Sequence, residues 1–374
     1  MSCHEKEGGT KLMKRKCLAL MLAALMLLSA VPAMAEGANT AAWLKTDEQR
    51  ASVATLTDVN DGKLYTMDYT ADYQLDALLE ANVTDVEGMV RFLQKTLLAG
   101  GTASVGAVDA GCSAFTAQSE EGKFLYGRNF DYKMDMTAVL VRTAPENGYR
   151  SIGLANVGWI GYTAGTLNDG TTDLSMAAFF PYLLMDGMNE KGLAMSVLKL
   201  RGDPTLQDTG KNKISTTVAL RLVLDRAATV DEALKLLDQY DMQSSMPEAN
   251  FHFLLADASG KAVVLEYLPN GQRMVYDQNY VTNFYLTENV PYAPVRGKDR
   301  YDLIEQTLIF KKGVMSEAEV MALLAVIGQP ETEESTSMTQ WSVVYNLTDL
   351  TGRVAVVREY DNVFRFSLDG MIQP

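Results

Sequence analysis

Two hydrophobic periods run along this chain. Between residues 83 and 98 the apolar positions Val86, Met89, Val90, Leu93 and Leu97 recur at helical spacing, and Thr84 with Glu87 forms a Thr-x-x-Glu capping box ahead of them. The run Ala99-Gly100-Gly101-Thr102-Ala103-Ser104 then predicts a helix stop and a loop. From Ser113 onward the period changes to two. Residues 113–117 and 123–129 flank the polar turn Ser119-Glu120-Glu121-Gly122 and predict a hairpin. A second hairpin is predicted from residues 250–257 and 261–267 around Ala258-Ser259-Gly260. Further strands are expected at 137–143, 193–198, 280–286, 342–346 and 353–360. Helices fall between them: 215–228, then 230–240 behind a Thr229/Glu232 box, then 317–326 behind a Ser316/Glu319 box.

Strands that come as hairpins, with helices grouped between hairpins, predict an α+β fold with helix-covered sheets rather than an alternating parallel α/β fold. No solenoid or propeller repeat and no low-complexity linker interrupts the pattern.

The first residues carry a different pattern. Lys14, Arg15 and Lys16 precede an apolar run over 18–30, Pro32 breaks it, and Ala33-Met34-Ala35 is a small-x-small cleavage site. The run is too short for a stable membrane anchor, so it reads as a bacterial-type export signal cut after Ala35, with Met13 as an alternative start. The expectation is a secreted or extracytoplasmic protein. The whole chain has a formal net charge of −14, and the leader holds more basic than acidic residues, so the remainder is more negative still. That balance argues against nucleic acid and anionic membrane surfaces as partners. No second long apolar run suggests a membrane span.

Chemistry narrows by elimination. There is no Gly-x-Ser-x-Gly elbow, no His-Glu-x-x-His, no Walker loop, no dinucleotide fingerprint and no Cys-x-x-Cys. Beyond the leader the only histidine is His252 and the only cysteine is Cys112, because His4, Cys3 and Cys17 depart with it. No metal site and no cofactor is therefore expected. A lone thiol in an exported protein is open to oxidation and is a candidate reactive group, against the alternative of a small buried apolar residue. To attack, it needs a base or a nearby positive charge. Two bases are open. One is His252, on a strand face opposite Phe251 and Phe253. The other is the α-amino group of Cys112 itself, freed if the chain is cut between Gly111 and Cys112, with a pKa of about 7.7–8.0. Glycine before the cysteine would allow a strained, exposed peptide bond there.

The run Cys112-Ser113-Ala114-Phe115, followed by Tyr126-Gly127-Arg128-Asn129-Phe130-Asp131-Tyr132, resembles the N-terminal nucleophile (Ntn) hydrolases of the choloylglycine hydrolase group. That group includes bile salt hydrolases, penicillin V acylases and, with a longer pro-region, acid ceramidase and N-acylethanolamine acid amidase. The similarity continues through Gly158-Trp159-Ile160-Gly161-Tyr162, Asn189-Glu190-Lys191-Gly192-Leu193, Thr282-Asn283-Phe284, Asp299-Arg300 and Thr339-Gln340-Trp341-Ser342-Val343-Val344.

The resemblance implies a four-layer αββα sandwich over residues 112–374 that hydrolyses linear, non-peptide C–N amide bonds of a small N-acyl substrate. Cys112 would be the nucleophile and its freed amine the base. Arg128 would favour the thiolate, and Asp131 would hold the amine in line. Asn283 would give an amide donor to the oxyanion, and Arg300 matches a charged active-site position. Since a regular strand sends Arg128 and Asp131 to opposite faces, both would reach Cys112 only if the chain left strand geometry after about Asn129. Lys199 departs from the Asn or Tyr common at its position, which leaves bile salt or penicillin V selectivity open. Trp159 and Tyr162, with Phe179 and Phe180, would border an apolar acyl group. The segment 36–111 resembles the acid ceramidase arrangement, a pro-region that stays bound as an α chain after self-cleavage, docked through the apolar face of the helix at 83–98. The competing readings are an uncut Cys112/His252 thiol peptidase and a catalytically silent exported binding protein on the same fold.

Overall fold

A computed structural model describes residues 40–101, 110–132, 137–163, 165–246, 249–291, 293–330 and 338–372. The export-signal reading of residues 1–35 lies outside the described residues. The first part of the chain holds α1 (Asp47–Val53), β1 (Thr57–Asp58), β2 (Leu64–Tyr69), α2 (Leu75–Glu80) and α3 (Val86–Leu97). Then come β3 (Ala110–Gln118), β4 (Phe124–Tyr132), β5 (Ala138–Thr143), β6 (Ser151–Asn156), β7 (Leu184–Asn189), β8 (Ala194–Leu200) and β9 (Asn212–Ser215). After α4 (Thr216–Arg226) and α5 (Val230–Leu237) follow β10 (Tyr240–Gln243), β11 (Asn250–Ala256), β12 (Ala262–Tyr267), β13 (Arg273–Tyr276) and β14 (Tyr280–Val281). The chain finishes with α6 (Lys298–Lys311), α7 (Glu317–Ile327), β15 (Met338–Asn346), β16 (Thr351–Val356), β17 (Phe364–Ser367) and β18 (Gly370–Ile372).

Most strands join two large sheets. One runs β1-β2-β5-β6-β7-β8-β11-β12-β13 and the other β14-β3-β4-β15-β16-β17-β18. They face each other, as the bonds from Tyr126 Oη to Ser196 Oγ and from Arg128 to Asp186 show. Helix α4 covers the outside of the first sheet with α5 packed beside it, and α6 and α7 cover the second. This is the four-layer αββα sandwich. Residues 40–101 are part of it. Strand β2 pairs in parallel with β5 from Leu64↔Ala138 to Tyr69↔Thr143, and α3 places Met89, Val90 and Leu93 in the main core.

Both predicted hairpins form, and β3 and β4 extend further than the alternation suggested. The Ser316/Glu319 capping box closes as expected. Three expectations change. Helix α3 begins later than the Thr84 box implies: its N-cap is Asp85, whose carboxylate accepts from Gly88 N–H at 2.6 Å. An anion there also suits the helix dipole. The strand expected over 353–360 stops at Val356, where Val357 and Arg358 take positive φ. The strand expected over 280–286 ends after Val281. Beyond it the Thr282 carbonyl and the Leu286 and Thr287 N–H groups are bound by side chains of β11 and β12, so they are withdrawn from a ladder.

Candidate active site

Strand β3 carries Cys112 opposite Phe130 of β4, with Gly111 opposite Asp131 and Ala114 opposite Arg128. Paired residues share a face. Cys112, Arg128 and Phe130 therefore look inward between the sheets, while Asn129 and Asp131 look outward to α7 and α6. The bonds agree. Arg128 Nη2 donates to the Val197 carbonyl at 2.8 Å, and the Cys112 Sγ lies 3.9 Å from that same oxygen. On the other face Asn129 Nδ2 donates to the Leu324 carbonyl at 2.8 Å, and Asp131 faces Arg300.

Strand β4 stays regular through Tyr132, so the expected break after Asn129 is absent. It is not needed. The Cys112 thiol is reached from the inner face by Arg128, and the Cys112 backbone from the outer face through Arg300. Arg300 Nη1 donates to the Cys112 carbonyl at 2.7 Å and to Asp131 Oδ2 at 3.4 Å, and Nη2 donates to Asn283 Oδ1 at 2.9 Å. Asp131 is fixed in turn by Thr339, whose hydroxyl donates to Oδ1 at 2.6 Å beside an irregularity in the β15 register. In this uncut chain Asp131 thus holds Arg300 rather than the Cys112 nitrogen.

Asn283 lies two residues beyond the end of β14. Its Oδ1 accepts the Cys112 N–H at 2.6 Å, and its Nδ2 donates to the Lys199 carbonyl at 2.8 Å. An amide nitrogen has two N–H bonds, so one is left for another acceptor. Arg300, in the first turn of α6, is only 8% exposed. Gly297 permits this: at φ 72° it caps α6, and a Cβ on it would lie 2.5 Å from Arg300 Nη2.

Arg128 is fully buried. Burial alone would lower its pKa, but the Cys112 sulfur and the Asp186 carboxylate beside it reverse the sign and hold it above the ordinary value. Asp186 of β7 accepts from Arg128 Nε at 3.3 Å, Trp341 Nε1 at 3.0 Å and Tyr345 Oη at 2.6 Å. Sequence reasoning missed Asp186. Its one signal was an acidic residue inside the apolar stretch Leu183-Leu184-Met185-Asp186, where an unpaired charge would not be tolerated.

The remaining expectations fare differently. The peptide linking Gly111 to Cys112 lies in a paired ladder, with Gly111 half-buried and Cys112 1% exposed, rather than on an open surface. Lys199 contributes its backbone carbonyl. Its side chain does not share the face of Cys112, because Ser196 on the same strand points inward to Tyr126 and alternation turns Lys199 the other way. Tyr162 is buried with its hydroxyl on the Asp173 carbonyl at 2.8 Å and its ring edge-on to Phe180. Trp159 is buried too. His252 is not paired with Cys112: Nδ1 faces Glu266 Oε1 at 3.1 Å and Nε2 faces the Thr282 carbonyl at 2.7 Å. Both ring nitrogens are thus engaged elsewhere. Among the described residues no group of three His, Cys, Asp or Glu could hold a metal, and no helix is long and apolar enough to cross a membrane.

Two facing sheets between helix layers, with Cys112 turned inward from β3, define an Ntn-hydrolase fold. Residues 112–292 match the family described as linear amide C-N hydrolases, choloylglycine hydrolase family. A penicillin V acylase of Pectobacterium atrosepticum is 36% identical over 105 residues, covering 25% of this chain and 28% of the relative. A bile salt hydrolase/transferase of Clostridium perfringens is 27% identical over 178 residues, covering 45% of this chain and 51% of the relative. The chain therefore spans between about a quarter and half of the length of these curated relatives. A mutant conjugated bile acid hydrolase of Clostridium perfringens superposes with a TM-score of 0.50 at 17% identity, over 70% of this chain and 97% of that one. At that identity the likeness is one of fold.

Proposed function

We propose that this protein is a secreted, self-processing cysteine hydrolase of linear, non-peptide C–N amide bonds, acting on N-acyl substrates such as bile acid conjugates, penicillin V or N-acyl amines. The observation that carries this reading is the setting of Cys112. Its amide N–H is held by Asn283 and its carbonyl by Arg300, while its sulfur lies beside Arg128 on the opposite side.

In the first event the Cys112 sulfur attacks the Gly111 carbonyl carbon, the C–N bond breaks, and the thiol proton ends on the departing nitrogen. Water then hydrolyses the thioester, leaving a Gly111 carboxylate, a free thiol and a free Cys112 amine. In turnover that amine takes the thiol proton as sulfur attacks the acyl carbon, passes it to the leaving amine, and then activates water against the acyl-enzyme. Arg128 places a positive charge beside the attacking sulfur, and the second Asn283 N–H is available to the tetrahedral oxyanion. Asp131, which faces Gly111 across the ladder, is the carboxylate nearest in register to accept from the new amine.

The cut chains are expected to stay together. Strand β2 is hydrogen-bonded into the large sheet, α3 shares the main core, and Tyr73 Oη donates to Asp225 Oδ2 at 2.6 Å inside a buried pair with Arg221.

Intact-mass measurement of the secreted protein tests the reading. Wild type should yield two chains ending at Gly111 and beginning at Cys112, and Cys112→Ala one chain. A hydrolysis screen over conjugated bile acids, penicillin V, N-acyl amino acids and fatty acid ethanolamides would follow. A wild-type chain that is active yet uncut rejects the proposal.

A further inference from the structure

His252, the histidine that does not serve Cys112, is fully buried. It stands on β11 in register with Glu266 on β12. Its two ring nitrogens face two oxygens that only accept, Glu266 Oε1 at 3.1 Å and the Thr282 carbonyl at 2.7 Å. A neutral imidazole owns one N–H and satisfies one of them; the imidazolium satisfies both. Glu266 is set up as a carboxylate, since it also accepts from Leu286 N–H at 2.7 Å, Thr287 N–H at 3.1 Å and the Thr287 hydroxyl at 2.9 Å. Asn250 adds a bond to the Tyr285 hydroxyl at 2.6 Å.

These bonds have one mechanical consequence. They grip residue 282 and residues 285–287, the two sides of Asn283. Between the grips Asn283 presents Oδ1 to the Cys112 N–H. The groups around the ring leave little else to hold a charge. From β12 it faces Glu266, and from β8 its register partner is the apolar Leu198. From the 282–287 segment it faces the Thr282 carbonyl, with Tyr285 nearby. Arg300 of α6 is bonded to Asn283 Oδ1 at 2.9 Å.

We propose that His252 is a positioning residue: as the imidazolium between Glu266 and the Thr282 carbonyl, it holds Asn283 against Cys112, and loss of one proton loosens that hold. The effect on catalysis rests on the proposed role of Cys112, whereas the effect on the 282–287 segment does not.

The test has two arms. In the full chain carrying Cys112→Ala, histidine-selective nitrogen NMR and amide hydrogen exchange are followed against pH. His4 and His252 are the chain's two histidines, so the signals are simple to assign. The His252 ring should carry both N–H protons while residues 282–287 are protected, and protection should fade as the second proton is lost. Glu266→Gln should bring that loss to lower pH. A neutral ring beside a fully protected segment, or protection unchanged in both His252→Phe and Glu266→Gln, overturns the proposal. If His252→Phe fails to fold, the wild-type ring and Glu266→Gln decide. In the second arm, Glu266→Gln and His252→Gln in the active chain should lower kcat by about tenfold to a hundredfold with KM nearly constant, as misplacement of a catalytic contact does. The alkaline limb of the rate should move to lower pH in Glu266→Gln. An active wild type whose kcat and pH profile are indifferent to both changes also overturns it. A wild type that neither cuts itself nor hydrolyses any amide instead rejects the role of Cys112, and the first arm still decides the role of His252.

Discussion

Arg300 Nη1 lies 2.7 Å from the carbonyl oxygen of Cys112, although 188 residues separate the two in sequence. The same guanidinium reaches Asn283 Oδ1 and Asp131 Oδ2, so one side chain ties the residue after the proposed scissile bond to both polar partners on its outer side.

Gly297→Ala tests how far the site depends on that guanidinium. The substitution places a methyl 2.5 Å from Arg300 Nη2 and forces an L side chain to φ 72°. The backbone term alone costs about 1–2 kcal/mol. Self-cleavage, followed by gel over time after expression, should slow markedly, while circular dichroism stays close to wild type.

Asn283→Ala removes the amide beside Cys112 but little volume. Loss of one oxyanion donor commonly lowers kcat by about 10²–10³. The expected result is slower self-cleavage and slower substrate hydrolysis together, measured by single-turnover kinetics with a chromogenic N-acyl amide. An effect on KM alone would remove Asn283 from the chemical step.

Asp186→Ala breaks a buried pair and leaves Arg128 without its carboxylate. Removing one member of such a pair typically destabilises by about 3–5 kcal/mol. Urea denaturation should show this loss, with Trp341 and Tyr345 losing a shared acceptor as well.

The pro-region should come away from the cut protein when α3 loses its grip. Leu93 is fully buried on the apolar face of that helix. Leu93→Ala should cost about 2–5 kcal/mol. Size exclusion after cleavage should then separate the two chains in mild urea, under conditions in which wild type stays paired.

Acid stability should carry the mark of Glu266. Burial on its own would raise its pKa, but the hydrogen bond and charge of His252, with the Leu286 and Thr287 donors, outweigh it and hold the carboxyl below its ordinary value of 4.5. A depressed carboxylate contributes stability that is present above the unfolded-state pKa and lost as pH falls through the folded one. The melting temperature of wild type should therefore fall on the acid side of pH 4.5, and Glu266→Gln should flatten that part of the curve while lowering stability at neutral pH.

The features legible in the chain alone were local. Period-two alternation marked both hairpins, the Ser316/Glu319 box marked α7, and Cys112 stood out because no other thiol follows residue 35. The order of the short motifs was enough to indicate the family of residues 112–292. Tertiary packing fixed what those residues do to one another. Alternation correctly put Arg128 and Asp131 on opposite faces, but only the second sheet on one side and α6 on the other show how both faces serve Cys112. A family motif pointed to Arg300, but its contact with the Cys112 backbone came only with α6 packed over β3. Asp186 carried almost no local signal, since its three donors come from β4 and β15. The strand expected through Leu286 failed for the same reason: Glu266 and His252 claim its backbone groups from another sheet, and no local pattern contains that competition. Contacts between distant segments fix the site because hydrogen-bond partners are chosen by proximity after folding, whereas periodicity reports only which face of each element is buried.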